Sequence, residues 1–261
     1  MNYLLQGDGP VVVLLHGLFG DLDNLAGCAR HLRQHGWQTL QISLRNHGDN
    51  PRQSSMTFAE MAHDLEQLRH QLALSKLYLL GHSLGGKVAM TYAQSHPEHC
   101  QALIVADIAP VAYQRRHDRV LEALSGLKPS RLRSRKHAQD HLLSAGIDLA
   151  TAAFLLKNLK PDGNGGYRWQ IQLDAITAAY PQLIDAVPEL PPYIGPTLML
   201  KGAESDYLLP AHQAEIKRRF PNAKAQILAG AGHWLHSQKP ELFNRLTLQF
   251  FQRSREDVVS Q

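Results

Sequence analysis

A serine lies between two glycines in the segment Gly81-His82-Ser83-Leu84-Gly85, which fits the pattern G-x-S-x-G. The apolar run Leu77 to Leu80 precedes this pattern, and apolar residues at helical spacing follow it. In that context the pattern predicts a strained turn from a strand into a helix, with the serine hydroxyl held above the edge of a sheet. Ser83 is therefore the candidate nucleophile of a covalent reaction.

Two backbone N–H groups are candidates for binding the oxyanion that forms when a hydroxyl attacks a carbonyl. The helix that begins after Ser83 directs the N–H of Leu84 and a positive dipole end toward the nucleophile. The segment His16 to Gly20 follows the first apolar run, and Leu18 is the best candidate in it for a second donor. Each such donor typically stabilises the transition state by about 3 kcal/mol.

A serine hydroxyl is a weak nucleophile at its ordinary pKa, so the chain must also supply a base. His233 lies in the glycine-rich loop Gly230 to Trp234, which follows the last apolar run of the chain. Its position matches the chain order serine, acid, histidine that is typical of this kind of site. His82 and His236 are the alternatives. His236 comes three residues later, at the start of a predicted helix, and we interpret His82 as a packing residue beneath the serine turn.

Alternating strands and helices are predicted to position these residues. The clearest helix starts are Asp21, a candidate N-cap before a helix from Leu22, and Thr57, which forms a capping box with Glu60. Such alternation predicts a doubly wound, mostly parallel α/β sheet with its ligand crevice at the carboxyl ends of the strands. The runs predicted as buried parallel strands are Val11 to Leu15, Trp37 to Ile42, Leu77 to Leu80, Ala102 to Ala106, Thr197 to Leu200 and Ala225 to Leu228.

The alternation stops after Pro110 and resumes near Pro196, which leaves a segment too long for a plain loop. This segment is basic and prone to form helices, and the turn-rich stretch Pro161 to Gly166 interrupts it. We therefore predict a helical cap, residues 113–192, inserted into an α/β core formed by residues 1–112 and 193–261.

Composition excludes several classes of protein. The chain has 261 residues, of which 44% are hydrophobic and 19% charged, with a net charge of +4. These values are typical of a soluble globular protein. No apolar run approaches the roughly 20 residues of a membrane span, and the first residues do not resemble a secretory signal. We therefore expect a cytoplasmic protein with no membrane association.

The distribution of charge and the number of cysteines indicate which kinds of partner and bound metal to expect. Residues 113–137 carry eight Lys or Arg against two Asp or Glu. Such a run is more often a solvated helix face than a surface for nucleic acid, so we expect no nucleic-acid partner. Two cysteines, Cys28 and Cys100, cannot by themselves form a disulfide framework or a four-ligand zinc site. The sequence carries no signal for the oligomeric state.

Taken together, the motifs resemble those of the α/β-hydrolase superfamily and, within it, of the small bacterial YbfF-type esterases, over nearly the whole chain. The resemblance implies a serine carboxylesterase that hydrolyses small acyl esters through a Ser-His-Asp triad and an acyl-enzyme. It implies no cofactor and no metal, and a cap that shapes the acyl site. The basic charge of the cap adds anionic acyl thioesters as a further candidate class of substrate. The motifs are His16 to Gly20, Arg45 to Gly48, Gly81 to Lys87, Asp107 to Pro110, Arg115 to Asp118 and Gly230 to Trp234.

Two aspartates compete for the acid of the triad. In most members of the superfamily the acid follows the penultimate strand, but this chain has Ser205 at that position, with Glu204 and Asp206 each one residue out of register. Asp107 ends the run Ala102 to Ala106, and only one helix separates this run from the strand before Ser83, so the two strands should be neighbours. We predict Asp107 as the acid and keep Asp206 as the alternative.

Two other functions remain open at this stage. A C–C bond hydrolase or lyase could use Ser83 and His233 on an anionic keto or enol substrate, since the same fold supports both chemistries. A binding protein with a silent triad is the third possibility. Reaction of the serine with a fluorophosphonate would distinguish an active triad from a silent one.

Overall fold

The computed structural model describes residues 1–259 of the chain. Its strands, numbered in chain order, are β1 (Tyr3–Gln6), β2 (Val11–Leu15), β3 (Gln38–Ile42), β4 (Leu77–His82), β5 (Cys100–Ala106), β6 (Leu159–Pro161), β7 (Tyr167–Trp169), β8 (Thr197–Gly202) and β9 (Ala223–Leu228). Seven of them form one sheet in the order β1-β3-β2-β4-β5-β8-β9. All six predicted parallel strands are present in it.

The helices cover both faces of this sheet. They are α1 (Ala26–Arg33), α2 (Phe58–Gln71), α3 (Leu84–Ser95), α4 (Asp118–Gly126), α5 (Arg135–Ser144), α6 (Leu149–Leu155), α7 (Leu173–Leu183), α8 (Gln213–Arg219), α9 (Leu235–Gln238) and α10 (Pro240–Val259). No helix in residues 1–259 combines the length and the apolar character needed to span a bilayer.

The strand side chains divide into two cores because successive residues point to opposite faces of a sheet. In β2, Val11, Val13 and Leu15 pack into the core beneath α2 and α3. Val12 and Leu14 pack into the other core, beneath α1 and α10. A strand that is buried on both faces has an uninterrupted apolar sequence, and that sequence was the basis for predicting it. The predicted doubly wound fold is confirmed.

Of the two predicted N-caps, Thr57 begins a helix as predicted, whereas the helix after Asp21 begins later than predicted. Thr57 Oγ1 accepts a hydrogen bond from the N–H of Glu60 at 3.2 Å, and the Glu60 carboxylate accepts one from the N–H of Thr57 at 2.9 Å. Asp21 caps a short 3-10 turn, Leu22–Leu25, and α1 begins only at Ala26. The side chain of Asn24 bonds back to the N–H of Asp21, which favours the tighter turn over a helix.

Two small elements were not predicted. β1 pairs antiparallel with β3 at one edge of the sheet, and its four residues are exposed or half-buried, so it has no apolar run to reveal it. The segment between β5 and β8 holds α4 to α7 and also a two-stranded hairpin, β6 with β7. Asp162 organises the hairpin turn, because its carboxylate accepts hydrogen bonds from the N–H groups of Asn164 and Gly166.

Candidate active site

Ser83 is the single residue between β4 and α3, and its φ is 53°. This left-handed conformation is strained for a residue with a side chain. The turn is tight enough to require glycine on both sides. A Cβ on Gly81 would lie 2.2 Å from the carbonyl oxygen of Gly85, and a Cβ on Gly85 would lie 2.3 Å from that of Leu15. The backbone therefore lifts the Ser83 hydroxyl above the carboxyl end of the sheet.

Three predicted site residues converge at this end of the sheet. Nε2 of His233 lies 3.0 Å from Oγ of Ser83, and Nδ1 of His233 lies 2.8 Å from Oδ2 of Asp107. With the Nδ1–H donated to the carboxylate, Nε2 is free to accept the proton of the serine hydroxyl. Asp107 is fully buried, whereas the side chain of His233 is 18% exposed. A buried carboxylate thus holds the ring of a histidine that faces the crevice.

The neighbouring strand β8 supports the Asp107 carboxylate. The N–H of Gly202, at the end of β8, donates to Oδ1 at 3.0 Å. The hydroxyl of Ser205, in the loop that follows, donates to Oδ2. Together with His233 these groups give the carboxylate three donors, which offset the cost of burying a charge. The sequence identified Ser205 only as the residue that replaces the usual acid.

The structure does not bring the alternative acid to the base. The carboxylate of Asp206 is 72% exposed and forms an ion pair with Arg116 Nη1 at 3.0 Å. It makes no contact with His233 among the hydrogen bonds and ion pairs of the described residues. In the turn that follows β8, the Ser205 hydroxyl bonds to Asp107, whereas the Asp206 carboxylate is directed to Arg116 at the rim.

His82, which was predicted to be a packing residue, and His236 both pack beside the loop of His233. The ring of His82 donates from Nε2 to the backbone oxygen of His233 at 2.8 Å, which ties the serine turn to the loop of the base. The His236 ring lies 4.6 Å from the ring of His82. Burial lowers the pKa of His82 well below its ordinary value and that of His236 to about 4, so both are neutral at neutral pH.

Two N–H groups beside Ser83 are available to an oxyanion. Among the hydrogen bonds of residues 1–259, neither the N–H of Leu18 nor that of Leu84 has an acceptor. Leu84 begins α3, so its N–H lies at the helix N-terminus. A Cβ on Gly17 would lie 3.4 Å from Cβ of Ser83, which places the loop of Leu18 directly against the nucleophile.

Buried histidines hold this loop. Nε2 of His47 accepts the N–H of Phe19 at 3.0 Å, and Nε2 of His16 accepts the N–H of Leu44 at 3.1 Å. Asn158 also donates to the backbone oxygen of Phe19, at 2.7 Å. Burial lowers the pKa of His16 to about 4 and that of His47 to about 3. Their neutral rings can therefore serve as acceptors, and His16 ties its own loop to the loop of Leu44.

Two pockets flank the nucleophile and share Leu18, Ser83 and His117. The Arg116 pocket, of about 40 Å³, is also lined by Ile108, Tyr113, Arg116, Tyr180, Leu183 and Tyr207. The His233 pocket, of about 60 Å³, is also lined by Phe19, Val120, Phe154, Leu155, His233 and Trp234. The residues common to both mark the place where a scissile bond would lie.

Hydrogen bonds fix the tautomer of His117 at this boundary. The hydroxyl oxygen of Tyr180 accepts the N–H groups of Arg116 and His117, at 3.2 and 3.1 Å. Its own proton is therefore donated to Nδ1 of His117, 2.8 Å away. Burial lowers the pKa of His117 to about 4, so at neutral pH the ring is neutral and carries its proton on Nε2. The sequence did not reveal this network.

Stacking further constrains the base. The ring of Tyr207 lies parallel to that of His233, with centroids 3.9 Å apart and an interplanar angle of 18°. Such contact leaves the imidazole little freedom to rotate away from Ser83. Tyr207 follows the segment of Ser205, so one loop both supports the acid and packs on the base. Its role could not be predicted because nothing in the local sequence places it against His233.

The described residues show no arrangement for a metal. In the described part of the chain, no group of three or more His, Cys, Asp or Glu side chains is placed to hold an ion. Cys28 and Cys100 are free and buried, and burial raises the pKa of each thiol to about 12. Both are therefore packing residues rather than nucleophiles.

Comparison with known proteins identifies the family of this chain. The family model described as "alpha/beta hydrolase fold" matches residues 10–240. The chain is 37% identical to the mouse "sn-1-specific diacylglycerol lipase ABHD11" over 92% of this chain and 81% of that protein. It is 34% identical to "Esterase YbfF" of Escherichia coli K12, over 90% of this chain and 91% of that protein.

A solved structure is similar over almost its whole length. The structure titled "Marine microorganism esterase" is 35% identical, covers 95% of this chain and 98% of its own, and superposes with a TM-score of 0.92. Family match, sequence relatives and solved structure thus agree over the same residues. The chain belongs to the α/β-hydrolase family and is a hydrolase whose full-length relatives include esterases and lipases.

Proposed function

We propose that the protein is a serine carboxylesterase in which Ser83, His233 and Asp107 act as the catalytic triad. The observation that carries this proposal is the continuous chain of hydrogen bonds from Ser83 through His233 to the buried carboxylate. The strained turn at Ser83 and the two N–H groups beside it supply the other parts that acyl transfer needs.

Acylation begins when Oγ of Ser83 attacks the ester carbonyl and transfers its proton to Nε2 of His233. The N–H groups of Leu18 and Leu84 hold the oxyanion of the tetrahedral intermediate. Asp107 keeps the ring in the required tautomer and stabilises the imidazolium. The intermediate collapses when His233 returns the proton to the alkoxy oxygen, so that the alcohol leaves and the acyl group stays on Ser83.

Deacylation repeats these steps with water. His233 removes a proton from a water molecule that attacks the acyl-enzyme, and then returns the proton to Oγ of Ser83 as the carboxylic acid leaves. The net reaction is an ester plus water giving an acid plus an alcohol. Ping-pong kinetics and a burst of alcohol are expected when deacylation is the slower step.

The position of the base assigns the two pockets. His233 must reach the leaving oxygen, so the alcohol part of the substrate lies in the His233 pocket. The acyl part then lies in the Arg116 pocket. At about 40 Å³ this pocket holds only a few atoms, since one water needs about 10–15 Å³ on the same measure. The enzyme is therefore proposed to prefer short acyl groups.

Residues 113–192 are proposed to act as a cap on the core formed by residues 1–112 and 193–261. They supply Tyr180 and Leu183 to the acyl pocket, and Val120 and Phe154 to the alcohol pocket. The core and the cap thus both contribute side chains to the lining of each pocket. Differences in this segment would then set substrate size without altering the triad.

Acyl thioesters are a second candidate class for the same site, because the triad attacks either kind of carbonyl. The basic run at residues 113–137 is the feature that favours anionic thioesters. Parts of that charge are already paired, since Arg115 bonds to Asp118 and Lys136 to Asp140. We therefore expect kcat/KM for an anionic thioester to fall with salt, but only modestly.

The test is hydrolysis of nitrophenyl butyrate by wild type and Ser83→Ala, with the exposed Ser144→Ala as the matched control. We expect Ser83→Ala to lose at least three orders of magnitude in kcat and Ser144→Ala to match wild type. Most activity surviving in Ser83→Ala would contradict the nucleophile. If the wild-type protein does not hydrolyse esters but cleaves a C–C bond of a keto acid, the result would instead favour a C–C bond hydrolase or lyase.

A further inference from the structure

Lys87 is a buried lysine that the proposed mechanism does not use. It lies in the first turn of α3, four residues after Ser83, and is only 1% exposed. Lysine is almost never fully buried, because its charge is costly to remove from water. Burial lowers the pKa of Lys87 to about 7, and the nearby Asp185 offsets part of that shift. An apolar side chain would fill the same space without this cost.

Three backbone oxygens surround the amino group of Lys87. Nζ donates to the oxygen of Val111 at 2.9 Å, to that of Ile184 at 3.4 Å, and to that of Asp185. An ammonium group has three N–H donors, so these contacts engage all of them. No donor is then left for a substrate, and the role of Lys87 lies in the segments that it holds.

These segments are the two through which the chain enters and leaves the helical part of the cap. Residues 110–113 lie between β5 and α4, and residues 184–187 lie between α7 and β8. We call the two segments together the neck. One amino group on the helix of the nucleophile thus contacts both segments of the neck, although more than 70 residues separate them along the chain.

Backbone hydrogen bonds also join the two segments to each other. The N–H of Tyr113 donates to the oxygen of Ile184 at 2.7 Å, and the N–H of Val187 donates to that of Pro110 at 3.4 Å. Ile184 is also the C-cap residue of α7, where carbonyl groups lack partners within the helix and carry partial negative charge. The cation of Lys87 therefore stabilises both the paired neck and the end of this helix.

The neck forms part of the proposed acyl pocket. Tyr113, Ile184 and Lys87 line the Arg116 pocket together with Ser83. The Tyr113 ring also packs on the amino group, with its centre 4.8 Å from Nζ. In a pocket of about 40 Å³, a small displacement of the neck would change the space for the acyl chain by a large fraction.

We propose that Lys87 is a positioning residue that fastens both segments of the neck to α3 and so keeps the acyl pocket at the size that favours short acyl groups. Its loss leaves three buried carbonyl groups without their donor, and the neck then moves away from α3 and widens the pocket. The effect on substrate choice rests on the proposed esterase function, whereas the fastening of the neck does not.

Hydrogen exchange, followed by NMR on the full-length protein, tests the fastening. Lys87→Met replaces the amino group with an apolar end of similar length. The N–H groups of Tyr113 and Val187, which pair the neck, should then exchange about 10- to 100-fold faster, the factor that corresponds to a hydrogen bond from a charged group. Lys217→Met is the matched control, because Lys217 also donates to two backbone oxygens but does so at the end of α8. It should leave exchange at the neck unchanged.

The preference for acyl length tests the consequence. Nitrophenyl butyrate and nitrophenyl octanoate share a leaving group, so the ratio of their kcat/KM values cancels changes in the triad. At pH 6.5, where most Lys87 is protonated, wild type should favour butyrate by at least about tenfold. Lys87→Met should reduce this ratio about tenfold, mainly through the KM values, with kcat on butyrate within about threefold of wild type. Lys217→Met should keep the wild-type ratio.

A second substitution allows for a variant that does not fold. Lys87→Gln keeps a polar end in the buried site but is one atom too short to reach both segments of the neck, so we expect it to behave as Lys87→Met does. Melting curves establish which variants are folded. If neither folds, Lys87 is required for the whole fold, and the inference that it positions the neck is wrong.

The remaining outcomes separate the parts of the inference. Neck exchange in Lys87→Met as slow as in wild type would contradict the fastening. Faster exchange with an unchanged ester ratio would contradict the role in acyl length. Equal losses on both esters through kcat would mean that Lys87 supports the triad instead. Hydrolysis of neither ester by wild type would contradict the proposed function, and hydrogen exchange would still decide whether Lys87 fastens the neck.

Discussion

Ser205 donates its hydroxyl proton to Oδ2 of Asp107, the same oxygen that accepts the Nδ1–H of His233 at 2.8 Å. The family resemblance led us to expect the acid at the position of Ser205. The proposed acid of this chain, Asp107, instead follows β5 directly, and Ser205, in the loop after the neighbouring β8, donates a hydrogen bond to it. Because β5 and β8 are adjacent, either strand can deliver a carboxylate to the same imidazole.

Removing this donor should weaken catalysis without abolishing it. Ser205→Ala is expected to lower kcat by about tenfold, since hydrogen bonds to charged groups contribute about 1.5–3 kcal/mol and Asp107 keeps two other donors. KM should change little because Ser205 does not line either pocket. Steady-state kinetics on nitrophenyl butyrate measure both values. Ser205→Thr, which keeps the hydroxyl, should recover most of the rate, and an Ala variant as fast as wild type would show that the contact is not used.

The two candidate acids can be separated by matched amide substitutions. Asp107→Asn should lower kcat by about four orders of magnitude, because the amide favours the wrong tautomer of His233. Asp206→Asn should cost far less on a neutral ester, since its carboxylate pairs with Arg116 at the rim. Melting curves must first show that both variants are folded. The reverse ranking would assign the acid to Asp206.

The tight turn at Ser83 should tolerate no side chain at Gly85. Gly85→Ala would bring a Cβ within 2.3 Å of the Leu15 carbonyl oxygen, which is backbone at the end of β2 and cannot move aside. We expect a loss of several kcal/mol in the free energy of unfolding. Gly27→Ala, in α1, is the control because its Cβ would meet nothing within 4 Å and should add stability by up to about 1 kcal/mol. If urea denaturation gave Gly85→Ala the same free energy of unfolding as wild type, the turn would not require glycine at this position.

Acid should destabilise the fold through its buried histidines. Nε2 of His16 accepts the N–H of Leu44, so protonation would break that bond, and burial lowers the pKa of His16 from 6.5 to about 4. Between those two pH values the unfolded chain binds a proton that the native state does not, so the free energy of unfolding falls as pH falls, by up to about 3 kcal/mol for this group. Above pH 6.5 the effect vanishes.

Urea denaturation at a series of pH values measures this dependence. His16→Gln should be less stable at neutral pH but should lose less stability between pH 6.5 and pH 4 than wild type, since the titrating ring is gone. His70→Gln is the control, because the side chain of His70 is 76% exposed. A variant that keeps the full acid sensitivity of wild type would show that His16 does not carry it.

Sequence patterns were sufficient for the elements near the site. β2, β4 and β5 are buried on both faces, so their apolar runs were visible, and glycine flanked Ser83 because no other residue fits the turn. Parallel pairing of β4 with β5 followed from the single helix between them and brought Asp107 toward the crevice. The catalytic roles themselves stay predictions until variants are measured.

Other features depend on contacts between residues far apart in the chain. Tyr180 fixes the tautomer of His117 from α7, and Tyr207 reaches both His117 and His233 from the loop after β8. The spacing of residues along the chain does not predict these contacts, because each of these residues taken alone is compatible with ordinary packing. The antiparallel β1 and the β6–β7 hairpin were missed for a different reason, as their strands have only four and three residues and little apolar character.

The most direct test of the proposed triad is covalent labelling of wild type by a fluorophosphonate, followed by intact-mass and peptide mass spectrometry. An activated serine displaces fluoride from phosphorus, so the account predicts one adduct per chain, on Ser83, and none in Ser83→Ala. Labelling should also be strongly slowed in His233→Ala, which lacks the base. A wild type that does not react, or an adduct that persists on another residue in Ser83→Ala, would contradict the assignment of Ser83 as the nucleophile.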